Sequence, residues 1–142
     1  MSRQLPVVAP ASVPINCAAD IVQARRCVRQ LGAALGFGYA DQTRLATAVA
    51  ELARNVVDHA GAGVCRIDDV SDAAWRCVRI VVEDHGPGIA SIERATQDGV
   101  SGGGGLGAGL PGVRRLTDSF MIESRPGLTR VTISLSARKE LP

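Results

Sequence analysis

A carboxylate followed by two glycines ends an apolar segment in the middle of the chain. Asp84-His85-Gly86-Pro87-Gly88 directly follows residues 78–83, whose β-branched side chains predict a buried strand. The acid is therefore expected at the end of that strand, next to a loop in which Gly86 and Gly88 let a flat ligand approach the backbone. A carboxylate placed there can accept the amino hydrogens of an adenine. The same pattern also fits an ordinary turn after a strand.

A second polar set recurs at helical spacing. Glu51, Asn55 and His59 are four residues apart, so they share one face of a predicted helix. The amide oxygen of Asn55 is a hard ligand suited to Mg²⁺ that also binds substrate phosphates. Glu51 is placed to accept a proton from an attacking hydroxyl or water. The alternative is the solvated polar face of an amphipathic helix.

A glycine-rich segment, SGGGGLGAGL at residues 101–110, leads into another predicted helix. The free N–H groups and the dipole at the start of a helix suit an anion such as polyphosphate. The alternative is a flexible linker. Residues 107–112 also match the dinucleotide fingerprint G-x-G-x-x-G, but glycines stand where that motif requires a strand. A P-loop is excluded because the only lysine of the chain is Lys139.

Hydrophobic periodicity predicts the elements that would position these residues. Five strands are expected, over Ser12–Cys17, Val64–Val70, Trp75–Glu83, Phe120–Ser124 and Thr129–Ser136. Four helices are expected: one capped by Asp20 and ended by Gly36–Gly38, one capped by Asp41 and ended by Gly61–Gly63, a short one over Ile89–Gln97, and Leu110–Thr117. The order favours an α/β (α+β) fold, a two-layer sandwich in which helices cover one face of a mixed or antiparallel sheet.

Composition limits the classes of protein to consider. The 142 residues suffice for one domain, expected over 12–142 after a loose tail at 1–11, and scarce aromatics predict an aliphatic core. A net charge of +2 gives no indication of nucleic acid, and prolines interrupt the apolar stretches at the N-terminus, which argues against a membrane span. None of the four cysteines forms a Cys-x-x-Cys pair. They are expected to be buried, reduced thiols, which favours a cytoplasmic protein.

The three motifs occur together in a fixed order along the chain: a helix, a strand end and a glycine-rich loop. In this order they resemble the Bergerat-fold (GHKL) nucleotide-binding family, over residues 13–136. Within it, the chain resembles the anti-sigma regulatory serine/threonine-protein kinases, in particular switch kinases of the RsbT type. The stretches that carry this resemblance are Asp20–Val22, Leu35–Gly38 with Asp41-Gln42, Glu51–Asn55 and Gly105–Val113.

The resemblance implies a role for each motif. Glu51 would be the catalytic base, Asn55 would hold Mg²⁺ and bind nucleotide, and Asp84 would read adenine beside Gly86 and Gly88. Thr129 falls where the family places a threonine near adenine, although Leu128 separates it from Gly127, whereas the family usually has adjacent Gly-Thr. The residues implied to close over the phosphates are Gly105, Gly107, Gly109 and Leu110.

The same resemblance implies an activity and partners. The chain would be an ATP- and Mg²⁺-dependent kinase for a serine on a STAS-domain antagonist or stressosome protein of the RsbS or RsbR kind. After phosphorylation it would switch to a downstream partner, typically a phosphatase. The alternative is an RsbW-like anti-sigma factor that sequesters a sigma factor and phosphorylates its antagonist. Neither nucleic acid nor a membrane is expected as a partner.

Overall fold

The fold is built on one antiparallel sheet. This computed structural model describes residues 10–91, 95–96 and 109–140. Its strands are β1 (Ala11–Ile15), β2 (Gly63–Asp69), β3 (Trp75–Asp84), β4 (Ser119–Arg125) and β5 (Leu128–Arg138), in the spatial order β1-β2-β3-β5-β4. The helices in these ranges are α1 (Ala18–Leu35), α2 (Tyr39–His59) and α3 (Gly109–Leu116). The predicted α+β sandwich is therefore confirmed, with a sheet that is antiparallel throughout.

Alternation along the strands separates the two faces of the sheet. On β3, Val78, Ile80 and Val82 are buried, whereas Arg79 between them is exposed. The helices cover the buried side, because α2 presents Leu45, Val49, Leu52 and Val56 to the core, as its periodicity predicts. Among the described residues, Phe37 is the one aromatic side chain of the buried core, which apart from Cys65 is otherwise aliphatic, as expected from composition. In the same ranges, no helix has both the length and the apolar character needed to span a bilayer.

Both predicted helix caps were wrong by a few residues. The cap of α1 is Cys17, and Asp20 lies three positions inside, where its carboxylate accepts from the backbone N–H of Asn16 at 2.8 Å and of Cys17 at 3.2 Å. The cap of α2 is Gly38, and Asp41 stands in the first turn. Buried Phe37 fixes the entry to α2, since its carbonyl accepts from the side chain of Gln42 at 2.9 Å. The acidic residues therefore act one turn later than expected, near the positive end of each helix.

The cysteines only partly follow the prediction. Cys65 is buried, and burial raises the pKa of its thiol to about 12. Cys27 and Cys77 are half-buried, but Cys17 is exposed because the capping position lies at the outer start of α1. All four are free thiols. Of the predicted helix over Ile89–Gln97, residues 92–94 and 97 lie outside the described residues; residues 89–91 are not helical, whereas Ala95 is helical and donates to the Ser91 carbonyl at 3.0 Å.

Candidate functional site

Asp84 stands where three strands and one helix converge. It is the last residue of β3, in register with Gly63 of β2 on one side and Thr129 of β5 on the other. A Cβ on Gly63 would lie 2.8 Å from a methyl of Val56 and 3.2 Å from the Cβ of Asp84. The absence of a side chain at Gly63 therefore lets α2 pack directly over the end of β3, with Asp84 on the helix-covered face.

The glycines after Asp84 allow a close approach to α2. The backbone N–H of Gly86 donates to Oδ1 of Asp84 at 2.9 Å, which fixes the carboxylate beside the turn. A Cβ on Gly86 would lie 2.6 Å from the Cβ of Ala60, at the end of α2. A side chain at this position would have to displace the helix end, so the loop requires glycine here.

The turn between β4 and β5 holds the same loop from its other side. Gly86 accepts from the N–H of Gly127 at 2.9 Å, and His85 Nδ1 lies 3.1 Å from the Gly127 carbonyl oxygen. Gly88 adopts φ +82°, and a Cβ there would lie 2.5 Å from the carbonyl oxygen of Arg125. These contacts fix the position of the loop relative to the sheet.

A pair of hydroxyl groups continues this connection to Thr129. The N–H of Ile89 donates to Oγ of Ser124 at 2.7 Å, and that oxygen lies 2.8 Å from Oγ1 of Thr129. Ser124 and His85 were not predicted from the sequence. The only available signal was the register of the last hairpin, which pairs Ser124 with Thr129 and Thr129 with Asp84.

The predicted polar face of α2 is graded from buried to exposed. Glu51 is 6% exposed, Asn55 is partly buried, and His59, in the last turn, is exposed. The Oε1 of Glu51 accepts from Nη1 of Arg54 at 3.1 Å. A solvated polar face would leave all these residues in water, so the buried Glu51 does not belong to such a face.

The start of α3 lies against α2, and this is where the predicted glycine-rich motif enters the described structure. Gly109 begins the helix with φ +65°, and Leu110, Pro111, Gly112 and Val113 are buried. Gly105 and Gly107, also predicted to contact phosphates, lie outside the described residues. The first turn of a helix is the usual place for anion binding by backbone N–H groups, and in α3 this turn includes Pro111, which has no N–H.

The neighbouring acid, Glu83, belongs to the opposite face of the sheet. It binds Arg66 of β2 and Arg130 of β5 at 2.8 Å each, and Arg130 also reaches Glu123 of β4 at 3.4 Å. The hydrogen bond from Arg66, joined by Arg130, holds the pKa of Glu83 below its ordinary value. Because side chains alternate along a strand, Glu83 stabilises the sheet while Asp84, one residue later, faces the site.

The donor set fits a magnesium ion that arrives with a nucleotide. Within the described ranges, no group of three or more His, Cys, Asp and Glu side chains is arranged to hold a metal. Mg²⁺ keeps most of its waters and needs only one or two protein oxygens beside substrate phosphates. The partly buried amide of Asn55, one turn after Glu51, meets that requirement.

Comparisons with known proteins agree with this architecture. A protein-family model described as histidine kinase-like ATPase domain matches residues 14–135. The chain is also 49% identical over 108 residues to serine/threonine-protein kinase RsbT of Bacillus subtilis (strain 168), a match that covers 76% of this chain and 81% of that protein. The chain therefore belongs to the histidine kinase-like ATPase family, as a serine/threonine-protein kinase of the RsbT type.

Solved structures share the fold at lower identity. The RsbU and RsbW domains of Rv1364c from Mycobacterium tuberculosis superpose with a TM-score of 0.67 and 18% identity, over 94% of this chain and 34% of that one. The histidine kinase domain of the blue-light activated histidine kinase from Erythrobacter litoralis EL346 gives a TM-score of 0.51 and 18% identity, over 94% of this chain and 66% of that one. The chain thus spans about a third of the first structure and somewhat under two thirds of the second.

Proposed function

We propose that this kinase transfers the γ-phosphate of Mg²⁺-ATP to a serine of a STAS-domain antagonist or stressosome protein. The observation that carries the proposal is the position of Asp84, where the ends of β3 and α2 meet the turn between β4 and β5. One oxygen of its carboxylate is held by Gly86, and the other is not engaged by any of the described residues. A carboxylate held through one oxygen, with its other oxygen free of the described residues, suits a purine amino group.

Adenine recognition would follow from this arrangement. The free oxygen of Asp84 would accept from the exocyclic amino group, while Gly86 and Gly88 let the loop pack tightly against Ala60 and Arg125 and so hold it beside Asp84. Thr129, in register with Asp84 and held by Ser124, offers a hydroxyl at the next position along the site. Each acceptor and donor is fixed by the fold before the nucleotide binds, which lowers the entropic cost of binding.

Phosphoryl transfer would take place along α2. Glu51 accepts the proton of the substrate serine while the serine oxygen bonds to the γ-phosphorus and the bond to the leaving ADP oxygen breaks. Asn55 would hold the Mg²⁺ ion, which neutralises charge on the phosphates. The backbone at Gly105, Gly107, Gly109 and Leu110 is proposed to bind the phosphates, assisted by the start of α3.

The proposed partners follow from the similarity to RsbT. The substrate would be an RsbS- or RsbR-like STAS-domain protein in the cytoplasm, and the released kinase would then bind a downstream phosphatase. Binding of a sigma factor instead would indicate the RsbW-like alternative. The modest net charge of +2 favours protein partners over nucleic acid.

The decisive experiment is incubation of the purified chain with labelled Mg²⁺-ATP and a STAS-domain protein encoded in the same genome. Label should enter one serine of that protein, and a serine-to-alanine variant of the acceptor should remain unlabelled. Co-purification with candidate phosphatases and sigma factors then separates the two partner classes. An unlabelled acceptor alongside a folded, ATP-bound kinase would refute this substrate class.

A further inference from the structure

Arg54 is the one described residue that binds the carboxylate of Glu51. Its Nη1 lies 3.1 Å from Oε1, with side chains 45% and 7% exposed respectively. The arginine therefore reaches inward from the solvent side to a nearly buried acid. Oε2, the other oxygen of Glu51, is not engaged by any of the described residues.

A second pair on the same helix shows that this contact is unusual. Asp41 and Arg44 have the same spacing, but their closest atoms are 4.0 Å apart and their side chains are 32% and 56% exposed. An exposed pair of this kind contributes little, because water already solvates both charges. Glu51 has lost most of that solvation, so its contact with the guanidinium of Arg54 is made in poorly hydrated surroundings.

We propose that Arg54 is a positioning residue for phosphoryl transfer, acting through Glu51. Its guanidinium holds Oε1 of the buried carboxylate in place, which leaves Oε2 to accept the proton of the attacking hydroxyl. This inference rests on the proposed role of Glu51 as the base. It extends that role by assigning a function to a residue whose own side chain is half exposed and does not need to touch the nucleotide.

The test compares five variants of the full chain: Arg54→Gln, Arg54→Lys, Glu51→Gln, the double variant Arg54→Gln/Glu51→Gln, and Arg44→Gln as the matched control. Two quantities are measured for each. Single-turnover transfer from labelled Mg²⁺-ATP is followed to the STAS-domain protein and, as phosphate release, to water. The affinity for Mg²⁺-ATP is measured by calorimetry, which also reports whether the site is folded.

The proposal expects a loss in rate without a loss in affinity. Arg54→Gln should slow transfer by about tenfold to a hundredfold, the scale of one charge-assisted hydrogen bond, with unchanged affinity for ATP. Arg54→Lys should keep most of the rate, because the contact involves a single nitrogen and not a bidentate fork. Arg44→Gln should behave as the wild type. The double variant should be no slower than Glu51→Gln alone.

Each other outcome has a definite meaning. Wild-type transfer by Arg54→Gln, with slow transfer by Glu51→Gln, overturns the inference and leaves the proposed base intact. The two substitutions could instead slow transfer independently, so that the rate of the double variant falls below that of Glu51→Gln by the same factor as in Arg54→Gln alone. Arg54 would then not act through Glu51, which also overturns the inference. Wild-type transfer by Glu51→Gln removes the base itself. If Arg54→Gln does not fold, Arg54→Lys decides, and a folded lysine variant as slow as Glu51→Gln contradicts the proposal.

Discussion

The carboxylate of Asp84 has two oxygens in different situations, and this difference makes a sharp substitution possible. In Asp84→Asn, the amide oxygen can still accept from the N–H of Gly86, a bond of 2.9 Å in the wild type, so the turn should stay folded. The amide nitrogen then replaces the free oxygen and presents a donor to the amino group of adenine. Affinity for ATP should fall by about tenfold to a hundredfold, measured by calorimetry.

A neighbouring acid provides the control for this substitution. Glu83→Gln removes a carboxylate one residue earlier, but on the opposite face of the sheet, where it binds Arg66 and Arg130. Its affinity for ATP should equal that of the wild type. Equal affinity in a folded Asp84→Asn variant would show that Asp84 does not read the base.

Residue types alone indicated which chemistry the candidate site could perform, but not which of its residues are buried. Helical spacing put Glu51, Asn55 and His59 on one face, yet it could not show that Glu51 is buried while His59 is exposed. Burial depends on how α1, α3 and the sheet pack around α2, which is set by contacts distant in sequence. Ser124 was not predicted for the same reason, because its contact with Ile89 joins residues 35 positions apart in sequence.

At the scale of elements, the loop after β3 depends on glycine in a way that a matched pair can test. Gly88→Ala would combine strain at φ +82° with a contact of 2.5 Å to the Arg125 carbonyl oxygen. Gly61→Ala has a similar φ of +84° but nothing within 4 Å. The Gly61 variant should lose about 1 kcal/mol of unfolding free energy, and the Gly88 variant more, measured by urea unfolding.

The two glycine variants should also differ in function. Because Gly88 fixes the loop that carries Gly86, its replacement should weaken binding of ATP, whereas Gly61→Ala should bind ATP normally. If both variants lost the same unfolding free energy and bound ATP normally, only backbone strain would matter at Gly88. The contact between this loop and the β4–β5 turn would then not be needed for ATP binding.

The ion pairs of Glu83 with Arg66 and Arg130, on the outer face of the sheet, predict that stability depends on pH. The arginines beside Glu83 lower its pKa in the folded state, so the folded protein binds this proton less tightly than the unfolded chain. Its contribution is fully present above the pKa of the unfolded carboxyl, about 4.3, and is lost as the pH falls through the lower folded value. Glu83→Gln should therefore show a flatter fall in unfolding free energy between about pH 5 and pH 3. Identical slopes in the two proteins would exclude this contribution.

Element types were predictable from sequence, because each has a strong period, whereas the ends of helices were not. The faces of α1 and α2 and the five strands follow directly from apolar spacing. Asp20 and Asp41 are good capping residues, yet the caps are Cys17 and Gly38. In α1 the Asp20 carboxylate instead binds the N–H groups of Asn16 and Cys17, just before the helix, and in α2 burial of Phe37 sets the entry, so propensity at a single position did not decide.

At the scale of the whole molecule, the site joins parts of the chain that are far apart in sequence. The end of α2, the end of β3 and the β4–β5 turn meet around Asp84, through Ala60, Gly86 and Gly127. The order of the three motifs indicated this assembly only through resemblance to a family. The motifs do not show which strands are neighbours in the sheet. Thr129 lies beside Asp84 because β5 pairs with β3, and not with β1.

A ligand bound at this junction should slow local opening there and leave remote loops unaffected. The amides of Gly86, Ile89 and Gly127 bind Asp84, Ser124 and the Gly86 carbonyl respectively, and these bonds break when the loop detaches from the sheet. The amides of Ala74 and Trp75 bind the side chain of Asp72, in the exposed β2–β3 loop, and open independently of the site.

Amide hydrogen exchange with and without a Mg²⁺-ATP analogue measures both groups in one experiment. Saturation at about a hundred times Kd stabilises the bound state by about 2.7 kcal/mol, so exchange at Gly86, Ile89 and Gly127 should slow by up to about a hundredfold. Exchange at Ala74 and Trp75 should not change, because their opening does not release the nucleotide. In Asp84→Asn, with affinity about tenfold to a hundredfold lower, the protection at the same analogue concentration should fall to between about twofold and tenfold. Unchanged exchange at all three site amides in a nucleotide-bound wild type would place the binding site away from the junction around Asp84.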